Sequence, residues 1–170
     1  MATKKTTQKR KQARRPSDHR TPAAAAASEA QLRERSFLIS DIVEIKSLIL
    51  IDCAASRSPD LPEEGKRKAR IKVTSVGHAY CQEHRRLQVH VGFGLTLVSA
   101  DSSDQKIEMN ASFVIDYALK GTAEFSDREF DAFAGLNGVH NAWPFWRELV
   151  HNLTARMGIR PLMIPVHRVG

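Results

Sequence analysis

Leu87-Gln88-Val89-His90-Val91-Gly92-Phe93-Gly94-Leu95-Thr96-Leu97 decides the fold. Every odd position is apolar and every even one is polar or glycine, the period-two pattern of a strand with one buried face. The pattern returns after a polar break, where Ile107, Met109, Ala111, Phe113, Ile115, Tyr117 and Leu119 alternate with Glu108, Asn110, Ser112 and Asp116. Asp101-Ser102-Ser103-Asp104 between them is a turn by composition, so the two runs form a hairpin. Its apolar face needs a cover.

The cover comes from downstream. Ser126-Asp127-Arg128-Glu129 has capping-box spacing and predicts a short helix through Phe130 and Phe133. A longer helix is predicted from about Gly138 to Met157. On it Val139, Trp143, Trp146, Val150, Leu153 and Met157 recur at three- and four-residue steps. Arg147, Glu148, His151, Asn152 and Arg156 take the opposite side, and Gly158 stands where a C-cap glycine would. Pro144 removes a backbone donor inside this helix, so a kink is expected near 140–144. An extended apolar piece, Pro161-Leu162-Met163-Ile164-Pro165, follows.

Upstream, Ile42 to Ile51 reads as a strand, with Ile45, Ile49 and Ile51 on one side and Leu48 and Leu50 on the other. That end of the strand is expected to be covered on both faces. Residues 52–68 hold Pro59, Pro62 and Gly65 among Ser, Asp and Glu, a connection long enough to carry function. A strand near Arg70 to Val76 leads to an irregular turn from His78 to Arg85. The chain is therefore an α+β domain over 36–170: a four-stranded antiparallel sheet with one face covered by C-terminal helices.

Residues 1–35 are read as a disordered basic tail. Met1 to Ala30 hold eight basic residues against two acidic ones, a net of +6, and leave +1 for the remainder of a chain whose total is +7. The pI near 9.7 thus describes an appendage and not a basic binding face on the domain. Such a tail meets polyanions weakly and loses them in salt. A nucleic-acid- or ribosome-associated role through it is the alternative reading, against a tail that only solvates.

Nothing calls for catalysis, and no catalytic, cofactor-binding or metal-binding residue is assigned. His78-x-x-Cys81-x-x-His84 has ligand residue types but no second pair to complete four ligands for structural zinc. Cys53 and Cys81 read as free thiols of a reducing compartment. No run is long and apolar enough for a membrane helix, so a cytoplasmic protein is expected. Two tryptophans and Phe145 within four residues cover more than one helix face. The surplus must meet a second subunit or a client.

Leu136-Asn137-Gly138-Val139-His140-Asn141-Ala142-Trp143-Pro144-Phe145-Trp146-Arg147-Glu148, continuing through Leu153 to Gly158 and Pro161 to Pro165, resembles the principal helix of the SecB family. The resemblance spans about Ile42 to Val166 and is specific over the C-terminal forty residues. It implies an ATP-independent chaperone that holds unfolded or precursor polypeptides in an apolar groove, for protein export with SecA as a possible partner, or as a dedicated antitoxin chaperone. It also implies a homo-oligomer, dimer or tetramer, whose clients lie between the helical layer and the connection after the first strand. The client-binding positions expected on that basis are Leu48, Leu50, Leu61, Trp143, Trp146, Leu162, Met163 and Ile164. At the end of the first strand Leu48-Ile49-Leu50-Ile51 is apolar where acidic SecA-docking positions would be expected.

Overall fold

The computed structural model describes residues 22–167. Helix α1 (Pro22–Ile42) leads into strands β1 (Val43–Arg57), β2 (Arg67–Cys81), β3 (Arg86–Ser99) and β4 (Lys106–Leu119). Helix α2 (Asp127–Phe133), a π-helical turn (Ala134–Gly138) and helix α3 (Val139–Arg156) follow. The strands form one antiparallel sheet in the order β1-β4-β3-β2. Residues 1–21 of the expected tail lie outside the described residues; residues 22–35 are part of α1.

The alternating runs form the two central strands, as their pattern requires. All six odd-numbered apolar residues of β3 and all seven of β4 are buried. Each Val, Leu, Ile, Phe or Met side chain among them, withdrawn from water, stabilises the fold by about 1.5–3 kcal/mol. Against this face lie Phe130, Phe133, Val139, Ala142, Trp143, Trp146 and Val150 from the helices. Phe93 is the centre: Trp146 stacks on it at 5.6 Å with an interplanar angle of 12°, and Trp143 meets it edge-on at 5.5 Å.

The helical layer is shaped by local chemistry. Glu129 Oε2 accepts from the Ser126 backbone N–H at 2.7 Å and from its hydroxyl at 2.9 Å, the reciprocal contact that the capping-box spacing foretold. The departure from α geometry falls at 134–138, where the Val139 N–H reaches back five residues to the Ala134 carbonyl. This lies just before the expected kink, and α3 continues as an α-helix through Pro144. Gly138 makes the approach possible, because a Cβ there would stand 2.5 Å from Val89 Cγ1. At the far end Gly158 takes φ +69°, with its N–H on Ala155 O and the Ile159 N–H on Thr154 O. These two bonds are a Schellman closure.

Three boundaries differ from the sequence expectations. β1 runs on to Arg57 and β2 starts at Arg67, so the connection is confined to 58–66. Continued pairing with β4 and β3 supplies ladder bonds that composition did not reveal. β2 also extends through His78 to Cys81, where a turn was expected. Finally, β1 is an edge strand with register shifts between Ile45 and Ser47 and between Leu50 and Asp52. The extra residues put Ile45 on the same face as Leu48 and Leu50, opposite Tyr117, Ile115 and Phe113. The strand end is not covered on both faces: Ile49 and Ile51 are each 54% exposed.

Candidate polypeptide-binding surface

After Gly158 the chain lies extended along α3, held by side-chain bonds to its backbone. The Thr154 hydroxyl accepts from the Leu162 N–H at 3.0 Å. Arg147 Nε donates to the Ile164 carbonyl at 2.9 Å, and Trp143 Nε1 to the Pro165 carbonyl at 2.8 Å. These contacts hold main-chain groups, so they position the segment without demanding particular side chains. Ile159 and Ile164 turn inward and are buried, while Met163 points out and is 70% exposed.

Shallow apolar hollows flank this arrangement. One, of about 200 Å³, lies between β1 and α3 and is lined by Leu50, Phe113, Phe145 and Leu149, with Glu148 and Asn152 at its rim. A second, of about 310 Å³, lies between α3 and the terminal segment, among Pro144, Arg147, His151, Met163 and Ile164. A third, of about 370 Å³, separates that segment from the start of β2, with Ala69, Leu97, Pro161, Leu162 and Met163 in its wall. Burial of apolar surface is non-directional, and such hollows accept varied side chains.

The expected client-binding residues separate into two groups. Leu50 is 42% exposed and Met163 lies open, with Leu48 and Leu162 half-buried beside them. Leu61, Trp143, Trp146 and Ile164 are buried in the core of this conformation. Of the three clustered aromatics, both tryptophans therefore face the sheet, and the surplus surface is Phe145, 47% exposed. Sequence reasoning passed over Ile45, Ile49 and Ile51, which the structure leaves exposed on the β1 edge. Their signal was a run of β-branched residues with no second apolar strand to cover it.

The connection after β1 has a different character. Leu61 anchors it in the core, and Arg57 donates to the Leu61 carbonyl at 2.6 Å. Ser58 ties it to the β3–β4 turn through Asp104 O at 2.9 Å. The hollow beside it is lined by Glu63, Glu64, Gly65, Arg67, Gly158 and Arg160, and is charged.

The residues suspected of chemistry are dispersed. Strand alternation puts His78 on the inner face, where Nδ1 lies 2.9 Å from Asp131 Oδ1, and Cys81 on the outer one. Among the described residues no three His, Cys, Asp or Glu side chains converge as metal ligands. Cys53 and Cys81 are free thiols on opposite edge strands. Burial, and after it the Asp52 carboxylate, pushes the Cys53 thiol above its ordinary pKa, which disfavours a thiolate nucleophile. Among the described residues no helix is long and apolar enough to cross a membrane.

No family model matches the sequence, and no curated protein matches it. Among solved structures, the chain is similar to Rv1957, a SecB-like chaperone of Mycobacterium tuberculosis in complex with a ChAD peptide from the Rv1956 HigA1 antitoxin. The TM-score is 0.71 at 15% identity, covering 82% of this chain and 99% of that one. A protein of unknown function from Streptococcus agalactiae superposes with a TM-score of 0.47 at 12% identity, over 72% of this chain and 96% of that one. With its β1-β4-β3-β2 antiparallel sheet backed by C-terminal helices, this chain has the SecB-like fold.

Proposed function

We propose that this protein is an ATP-independent holding chaperone of the cytoplasm, which keeps unfolded, precursor or antitoxin polypeptides from aggregating. One observation carries the reading: on a SecB-like fold, Leu50, Phe145 and Met163 stand exposed around apolar hollows, and Ile49 and Ile51 stand exposed on the same edge strand as Leu50. An apolar surface of that kind is costly to leave in water and binds many sequences with little discrimination. The antitoxin peptide held by the mycobacterial protein supports a polypeptide client here. The client class extends from exported precursors, with SecA as the receiving partner, to a dedicated antitoxin.

A homo-oligomer belongs to the same reading. The apolar residues of β1 lie on an unpaired sheet edge, where a second copy or an extended client gains both backbone bonds and apolar burial. Several weak subsites on one assembly then act together by effective concentration. The test is suppression of aggregation of a chemically unfolded client, without nucleotide, at increasing protein excess. Full light scattering at a several-fold excess of the protein would sink the reading.

A further inference from the structure

The second edge of the sheet offers a site of a different kind. β2 is an edge strand, and Lys68, Arg70 and Lys72 occupy alternate positions along it, opposite Val98, Thr96 and Gly94 of β3. Alternation places all three on the solvent-facing side of the sheet, about 7 Å apart. All three are exposed, and none makes an ion pair among the described residues. The carboxylate nearest in register, Glu108, is on β4 and is engaged by Lys106 at 3.1 Å. The floor beside them is flat: a Cβ on Gly94 would meet Lys72 Cε at 3.2 Å and Thr74 Cγ2 at 3.1 Å. Among the described strands no Phe, Tyr or Trp stands on this face for a base to stack on, and the imidazole of His90 lies further along β3, opposite Gly77.

The other side of the same edge begins with Arg67 and is apolar from Ala69 to Val73. Ala69, Ile71 and Val73 face the core side opposite Leu97, Leu95 and Phe93, and Val73 is 40% exposed. Next to Ala69 opens the hollow of about 370 Å³ whose lining is mostly apolar, with Leu97, Pro161, Leu162 and Met163 joined by Arg67 and Arg160. A strand added along β2 would therefore present one side chain to the cations and the next to the apolar hollow, in strict alternation. A second copy of β2 does not fit, because its own cations would be set against this row. The row that repels a like strand selects an acidic one.

We propose that the β2 edge binds an extended polypeptide segment whose residues alternate acidic and apolar, as a fifth strand of the sheet. The proposal rests on the polypeptide-binding reading and specifies the chemistry of one class of segment. Acidic side chains pair with Lys68, Arg70 and Lys72, while apolar ones cover Val73 and enter the hollow beside Ala69. The binding energy is divided between cross-strand ion pairs, backbone ladder bonds and apolar burial.

The experiment uses the full chain and a labelled synthetic peptide alternating glutamate and valine, compared with one in which lysine replaces glutamate. The acidic peptide should bind about tenfold tighter or better, weaken as salt is added, and slow hydrogen exchange at the amides of 67–73. The triple variant Lys68→Glu, Arg70→Glu, Lys72→Glu should reverse the preference. If reversal disturbs folding by circular dichroism, the triple glutamine variant should abolish the preference instead. Equal binding of both peptides, or unchanged exchange in β2, overturns the proposal. So does displacement of the peptide by a single-stranded oligonucleotide that binds through the same three residues. Aggregation of an unfolded client without the alternation is measured in parallel. Suppression there without a peptide preference rejects this site and leaves the holding role intact; the reverse result rejects general holding alone.

Discussion

Edge strand β1 exposes Ile45, Ile49, Leu50 and Ile51, whereas edge strand β2 sets Lys68, Arg70 and Lys72 along its solvent-facing side. Both edges leave ladder bonds unmade, yet they invite different neighbours. An apolar edge accepts its own copy or any extended apolar chain, and its specificity is low. A cationic edge refuses its own copy and most neutral chains, and its specificity comes from charge. Between them the sheet is identical in kind: two strands with every inward residue buried under the same helices. Under the proposed function, partner choice falls to the rim of the sheet.

The largest test of this comparison removes what the edges share. Trp146 is fully buried and stacked on Phe93, so Trp146→Ala should cost about 3–5 kcal/mol in urea denaturation. Hydrogen exchange should then quicken in β1 and β2 together; loosening at one edge alone would show that the two do not hang on one core. Gly138→Ala comes next, because its Cβ would press on Val89 Cγ1 at the seat of α3. A loss of about 1–3 kcal/mol is expected, and an unchanged denaturation midpoint would mean that α3 can shift outward at no cost.

Ile49→Lys with Ile51→Lys turns the apolar edge cationic. Self-association and client holding should both fall about tenfold, about 1.4 kcal/mol, as read by sedimentation and light scattering. Stability should move by about 0.5 kcal/mol or less, since both side chains are 54% exposed. Loss of folding would show instead that β1 needs its isoleucines for the monomer.

The smallest effect concerns pH. Burial raises the Glu129 carboxyl, but Arg35 and the Ser126 donors outweigh it and hold the group below its ordinary 4.5. With the folded value below the unfolded one, its stabilisation is complete above the unfolded value and fades as pH falls through the folded one. Arg35 lies on α1 and Glu129 on α2, so acid should loosen α1 from the helical layer. Glu129→Gln should flatten the stability profile between about pH 5 and 3. An unchanged profile would assign the acid sensitivity elsewhere.

Much of the fold was legible in the chain. Strict alternation from Leu87 to Leu97 and from Ile107 to Leu119 is satisfied by a half-buried strand and by no helix, so the hairpin and its buried face followed directly. The three-and-four spacing of Val139, Trp143, Trp146 and Val150 likewise named the covering face of α3. The ends of β1 and β2 were not legible, because Asp52 to Arg57 and Arg67 to Ala69 have loop-like composition and are held as strand by their neighbours. The π turn at 134–138 was equally hidden, since it depends on how closely Gly138 seats against Val89.

The candidate site divides along the same line. The sequence by itself determined that Trp143, Phe145 and Trp146 could not all face one sheet, a matter of helical geometry. Only the tertiary structure decided that Phe145 is the one left over, because Phe93 has room for both tryptophans. In the same way the near-neutral charge of the domain was readable as a sum, and from it no basic face was expected. Its distribution was not readable. Lys68, Arg70 and Lys72 became a row when β2 extended to Arg67 and formed an edge, since strand alternation converts spacing in sequence into a shared face in space.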